Sequence, residues 1–289
     1  MNTLTAVEAL EQRLGDPFDP ANPHGFDALL AAAEARRPQD PEPWRVPSGA
    51  PEPVLHALRA VCRRSPALAG TAGAGAGAAD EALAVGACAG ALDSALRITL
   101  RHLRGRRLYG AAAADLPVLR SVLSGAFADL LLCDALTTLA VRGTDALPDR
   151  PDATAHAVTA FVPRVLQGAL DRLSVVMGSR FYIREGDHAS FQRLLHETQR
   201  ALFGAGRRTP ERDPAAPFPL DALLAAPAVT GLYDPALLAA APGRALNGRA
   251  RRTPQPTGSA HERLYADLVD RHEANLALDL TRRPLPDRP

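Results

Sequence analysis

This sequence predicts an all-α protein: a four-helix bundle between residues 80 and 206, preceded by a helical arm and followed by a proline-rich extension. Three observations predict it. Apolar residues between Asp80 and Gly206 recur at the three- and four-residue steps that place them on one side of a helix. Of the 26 prolines, ten precede residue 80 and twelve follow residue 206, leaving Pro117, Pro148, Pro151 and Pro163 between. Because proline is tolerated at helix starts and in loops rather than in helix interiors, the stretch it avoids is the ordered body. Nowhere does a series of alternating apolar and polar residues announce strands.

The elements follow in order. Residues 4–14 suit a short helix, broken by the DPFDPANP segment, and Gly25 to Arg36 suits a second, alanine-rich one. Val54 to Arg64 is a third short helix, and Gly70 to Gly77 (GTAGAGAG) is a glycine-alanine hinge, which closes an arm spanning 1–79. The first bundle helix runs from Asp80 to about Arg107, with Leu92, Leu96 and Leu103 on one face and Arg97, Arg101 and Arg104 on another. The second takes Asp115 as N-cap and Leu116, Leu119, Leu123, Phe127 and Leu130 as its apolar stripe. The third starts near Asp152, uses Val158, Phe161, Val165, Leu166, Leu173 and Val176, and stops at Gly178, with Pro163 bending it or lying near its start. The fourth starts after Gly186, carries Phe191, Leu194, Leu195 and Leu202, and ends at Gly204. Short connections make the four antiparallel. From 207 to 289 the chain is proline-rich, with short helices around Leu220 to Ala226 and Pro235 to Ala241 and a better one from Ala260 to Leu278.

At 289 residues and 46% hydrophobic, the chain is long enough to bury a sizeable core. A net charge of +1 gives no bulk electrostatic case for nucleic acid or an anionic membrane as partner. All 33 basic residues are arginine, a bias of coding sequence, so single surface arginines do not mark phosphate sites. Cys62, Cys88 and Cys133 are isolated among alanines and leucines, which fits buried hydrophobes better than disulfides or a metal cage. No charged and apolar leader opens the chain and no run reaches about 18 apolar residues, so the expected address is the cytoplasm of a bacterium.

Few residue patterns carry chemistry. Arg184-Glu185-Gly186-Asp187-His188 gathers ionisable groups in one turn, where a Glu/His pair suits proton transfer and Asp187 suits a helix cap. Asp80 and Glu81 open the first bundle helix, where acidic residues are favoured by the helix dipole and where a carboxylate base would also fit. Histidine precedes glutamate at His196, His261 and His272, never as His-Glu-x-x-His, so no zinc site is expected. No Gly-x-Ser-x-Gly turn is present, and Gly73 to Gly77 lacks the preceding strand that a phosphate loop needs.

One motif points to a family. Arg106-Arg107-Leu108-Tyr109-Gly110 resembles the Arg-x-Gln-Phe-Gly signature in the C-terminal bundle of acyl-CoA dehydrogenases, with Leu108 in place of the glutamine. Gly86 and Gly90 fall where that family keeps small residues. The resemblance extends over residues 80–206 and more loosely over LGDPFDPANPHGFDALLAA and VLHALRAVCRRSPALAG. It implies an acyl-CoA dehydrogenase-like four-helix bundle, in which Arg106 would reach an FAD bound mainly by a partner subunit. The family's middle β-domain has no counterpart, since GTAGAGAGAAD runs straight into the first bundle helix. The usual catalytic glutamate falls on Ala205, eight residues after His196-Glu197 where the family keeps Arg-Asp, and Arg193 matches the arginine before that pair. Some members keep the base where Asp80 stands here.

The function expected first is therefore a non-redox enzyme acting on an acyl thioester or polyketide-like intermediate, by cyclisation, isomerisation or elimination, with no cofactor. Its site would gather Asp80 and Glu81, Arg184, Glu185 and His188, and residues 203–207 at one end of the bundle. The second expectation is a non-catalytic subunit paired with a complete acyl-CoA dehydrogenase. The third is a dehydrogenase that binds FAD itself. The bundle is expected to mediate self-association, as a homo-oligomer or as a heteromer with a complete acyl-CoA dehydrogenase.

Overall fold

The computed structural model describes residues 3–69, 78–108, 110–142, 153–204, 233–239, 241 and 258–286. The expected hinge, Tyr109, the helix at 220–226, and Ala205 with the two residues after it lie outside the described residues. The fold is mostly helical. The arm contains α1 (Thr3–Leu14), α2 (Phe26–Glu34), a single 3-10 turn at Glu42–Trp44, α3 (Pro51–Cys62) and the one-turn α4 (Pro66–Ala69). Among the described residues, strands amount to the hairpin of β1 (Arg107–Leu108) with β2 (Ala111–Ala112) and an isolated bridge between Leu276 and Pro284. Only residues 70–77 separate α4 from the bundle, too few to hold a β-domain.

The body is α5 (Ala78–Ala87), α6 (Ala89–Gly105), α7 (Pro117–Arg142), α8 (Ala153–Met177) and α9 (Gly186–Phe203). The first expected helix is thus two, divided at Cys88, whose backbone stays near the helical region. Asp115 does not cap the second helix. It sits in a 3-10 turn, and Pro117, with its preset φ and no N–H to satisfy, starts α7 instead. Pro163 lies inside α8 rather than at its start. Gly178 (φ +61) and Gly186 (φ +54) adopt the left-handed backbone that glycine takes without strain, and they bracket the turn between α8 and α9. The expected helix from Ala260 to Leu278 ends earlier: α11 (Gly258–Glu273) stops short of Asn275 (φ +51), and the chain then turns back along residues 275–286. Between these lies the short α10 (Pro235–Leu238).

Among the described residues, two apolar cores hold this together. The larger joins Leu92, Leu96, Leu123, Phe127, Leu131, Leu166, Leu170 and Phe191 of the bundle with Leu264 and Leu268 of α11. The smaller packs Val7, Leu10, Trp44, Leu55 and Val61 of the arm against Leu83 and Ala87 of α5. Small residues let helices cross closely. A side chain at Gly90 would collide with the Arg59 carbonyl of α3, and one at Gly86 with Thr137 of α7. The segments Asp80–Gly105 and Pro117–Arg142 are long and apolar enough to cross a bilayer, but 94% of each apolar window is buried within the protein. Their apolar surface is spent on the bundle core.

Candidate functional site

Among the described residues, two gatherings of ionisable side chains bear on a site. The first is the end of the bundle where α6 finishes and α9 begins. Gly186 directs the chain into α9, so that Asp187 and His188 in its first turn face the last turns of α6. Asp187 Oδ2 lies 3.3 Å from Arg101 Nε, and the Arg101 guanidinium stacks over Phe18 of the arm at 4.6 Å from the ring centre. The imidazoles of His102 and His188 meet edge to face, 5.3 Å apart. In both rings Nε2 is buried and has no hydrogen-bond partner.

Charge around this pair is mostly positive. Burial, the neighbouring His188, and the charges of Arg180 and Arg106 hold His102 down to about 4, so its ring is neutral at physiological pH. Arg106, just after α6, and Arg180, in the turn after α8, thus both add positive charge within electrostatic reach of His102. Burial raises the Asp187 carboxyl against the opposing charge of Arg101. Gln192 fixes the turn by donating to the carbonyl oxygens of Phe181 and Ile183. Glu185, at the N-cap position with extended backbone, and Arg184 are exposed to solvent.

The residues expected to share one site do not all meet. Arg184, Glu185, His188 and Arg106 lie at the α6–α9 end. Asp80 and Glu81 open α5, roughly 30 Å away along the bundle axis at ~1.5 Å per residue. Phe203, at the far end of α9, is roughly 22 Å from His188 by the same rise. The reason is topological: in an up-down-up-down bundle, the start of the first helix and the turn before the fourth lie at opposite ends. His196 is exposed, and Glu197 is taken up by Arg193 Nε (2.6 Å) and Ser65 Oγ (2.5 Å), so this pair anchors α4 to α9. His102 was missed because a single histidine among arginines reads as a solvated face, and its partner is 86 positions away.

The second gathering is buried between the arm, the bundle and the C-terminal segment. Arg59 of α3 and Arg63, which caps its end, face Asp134 of α7 (2.5 Å from Arg59), Glu11 of α1, Asp93 of α6 (3.4 Å from Arg63), and Asp279 (3.8 and 3.7 Å). The returning chain is held by the same carboxylates: Leu278 N–H donates to Asp93 at 2.9 Å and Leu280 N–H to Asp134 at 2.6 Å. Arg97, paired with Asp93 at 2.5 Å, donates to the Leu276 carbonyl. Burial opposes ionisation of Asp279, yet Arg59, Arg63 and Arg283 outweigh it and hold the carboxyl far below the usual range. The cleft beside this cluster, lined by Glu11, Asp16, Arg63, Arg64, Arg97 and Pro286 among others, has a volume of only ≈ 10 Å³. That admits about one water molecule, not a substrate.

Among the described residues no group of three or more histidine, cysteine, aspartate or glutamate side chains is arranged to hold a metal ion. Comparison with known proteins gives no match: no family model, no curated protein and no solved structure. The dehydrogenase resemblance rests on its sequence motif.

Proposed function

We propose that this protein is a non-redox enzyme of acyl-CoA dehydrogenase-like architecture that binds an acyl thioester at the α6–α9 end of the bundle. The observation that carries the reading is the His102–His188 pair, with two unpartnered Nε2 atoms beside Arg106 and Arg180. A buried polar atom without a partner costs free energy and is accounted for when a ligand supplies the partner. The two guanidiniums suit the anionic part of such a ligand. A neutral His102 is a poor base but a good hydrogen-bond donor, so its role is to polarise the thioester carbonyl, with His188 carrying the α-proton. Proton removal next to a thioester carbonyl is the step shared by isomerisation and elimination.

The test is hydrogen exchange at the α-carbon. Acyl-CoA thioesters incubated with the protein in D2O should gain deuterium by mass spectrometry; His188→Gln should abolish the gain, and Arg106→Ala should weaken binding while leaving the fold intact. No exchange and no calorimetric binding of any acyl-CoA would sink the reading, and a bound flavin spectrum would restore the dehydrogenase alternative. The subunit reading is favoured by a separate observation. Val175, Tyr182 and Ile183, exposed by 79%, 76% and 42%, project around the α8–α9 turn, as a surface awaiting a protein partner would. Co-purification with a complete dehydrogenase, lost in Tyr182→Ser, would support it.

A further inference from the structure

We propose that Cys62 and Cys88 are an oxidisable dithiol whose disulfide staples the N-terminal arm to the bundle. Cys62 is the last residue of α3, and Cys88 occupies the joint between α5 and α6. The two are brought together because α3 crosses that joint at Gly90, where the absence of a side chain lets the Arg59 carbonyl approach the α6 backbone. Arg59 Nε also donates to the Gly86 carbonyl at 3.4 Å, on the other side of Cys88. At this crossing the Cys62 thiol is in hydrogen-bond contact with Cys88, and the Cys88 thiol lies 3.4 Å from the Ala84 carbonyl as its donor. Both side chains are buried, at 1% and 2% exposure, and Cys133, on α7, is a separate buried thiol.

The contact to Cys88 and burial push the Cys62 thiol well above the usual thiol range, so it stays protonated at neutral pH. Oxidation takes a low-molecular-weight disulfide as co-reactant. Cys88 attacks one of its sulfurs and displaces one small thiol, leaving a mixed disulfide. Cys62 then gives up its proton, attacks the Cys88 sulfur and displaces the second small thiol. Two S–H bonds are lost and one S–S bond forms; the oxidant takes up the two electrons and two protons as two thiols. The new bond closes the segment joining α3 to α6 and removes that freedom from the unfolded chain.

The experiment uses the full chain. The protein is incubated with oxidised glutathione, then denatured and alkylated with N-ethylmaleimide, and its intact mass and peptides are measured. The expected product carries one maleimide, on Cys133, and a cross-linked peptide joining Cys62 to Cys88; Cys133→Ser retains the cross-link and Cys88→Ser loses it. The oxidised protein should melt roughly 6 °C higher than the reduced one, the stabilisation expected for a closed loop of some two dozen residues in a chain of this length. Three maleimides after oxidation, or glutathione left on either cysteine, would overturn the pairing. A cross-link that leaves the melting midpoint unchanged would overturn the staple.

Discussion

Replacing Asp279 by alanine is expected to destabilise the protein by about 3–5 kcal/mol, the range for removing one partner from a buried ion pair. Asp279 is 3% exposed and stands 3.8 Å from Arg59 Nη1 and 3.7 Å from Arg63 Nη2. At an effective dielectric of about 20, each contact is worth roughly 4 kcal/mol of attraction, partly offset by the desolvation already spent on burying the ions. Arg59 retains Asp134, and Arg63 retains Glu11 and Asp93, so neither guanidinium is stripped of every counter-charge. That places the effect within the range rather than above it. Urea denaturation followed by circular dichroism gives the size, and hydrogen exchange gives the route. The amides of Leu278 and Leu280, which donate to Asp93 and Asp134, should exchange much faster in the variant than those of Leu131 or Leu166 in the core. Replacing Arg283 by methionine in the same chain should recover part of the loss, because it lowers the positive charge left behind. A loss below about 1 kcal/mol, of the size of an exposed pair, would refute the reasoning and mean that the cluster is solvated.

Other outcomes are open to direct measurement. Gly90→Ala should cost more than about 2 kcal/mol, because the added carbon meets the Arg59 backbone carbonyl and α3 must lift from α6; thermal unfolding checks it. Stability should fall as pH drops below about 6.5. His56, lowered to about 3 by burial and the charges of Arg59 and Arg283, and His102, lowered to about 4, are held neutral when folded, so the unfolded chain takes up the extra protons. Their contribution is complete above pH ~6.5 and is lost as pH falls toward those values; His56→Gln should flatten the lower part of that dependence in urea midpoints measured against pH. Light scattering at micromolar concentration should show an oligomer, and Ile183→Asp should shift it toward the monomer.

How much of this was legible depended on the range of the interaction. The helices of the body could be read because Leu123, Phe127 and Leu130, or Phe191, Leu194 and Leu202, mark a face with local periodicity, and Gly178, Gly186 and Gly204 mark the ends. Helix starts were read less well: Asp115 looks like a cap, but Pro117 fixes φ two residues later and decides the boundary. The break at Cys88 has no local signature, since neither proline nor a polar run marks it. The ion cluster was illegible for a stronger reason. Glu11, Arg59, Arg63, Asp93, Asp134 and Asp279 come from five separate segments, and each alone is an ordinary charged residue.

That cluster also bears on where a ligand can enter. A bundle without a β-domain leaves apolar helix faces to be covered, and this chain covers the flank of α6 and α7 with its own ends: α1 and α3 from one side, residues 275–286 from the other. Buried charged side chains run through this seam beside its apolar contacts, which makes the docking specific in register: Leu278 and Leu280 can reach Asp93 and Asp134 only if Asp279 falls between Arg59 and Arg63. Such a seam is closed, because opening it would strand several buried ions at once. A substrate is therefore not expected on that flank. The α6–α9 end is different in kind. Its histidines have open nitrogen positions, and Phe18 meets it only through the half-exposed side chain of Arg101, which carries no buried ion pair. Arg101→Ala, which releases both Phe18 and Asp187, should consequently change ligand binding at this end while leaving urea stability within about 1 kcal/mol, the worth of a half-exposed pair; a large loss of stability with unchanged binding would place the opening elsewhere.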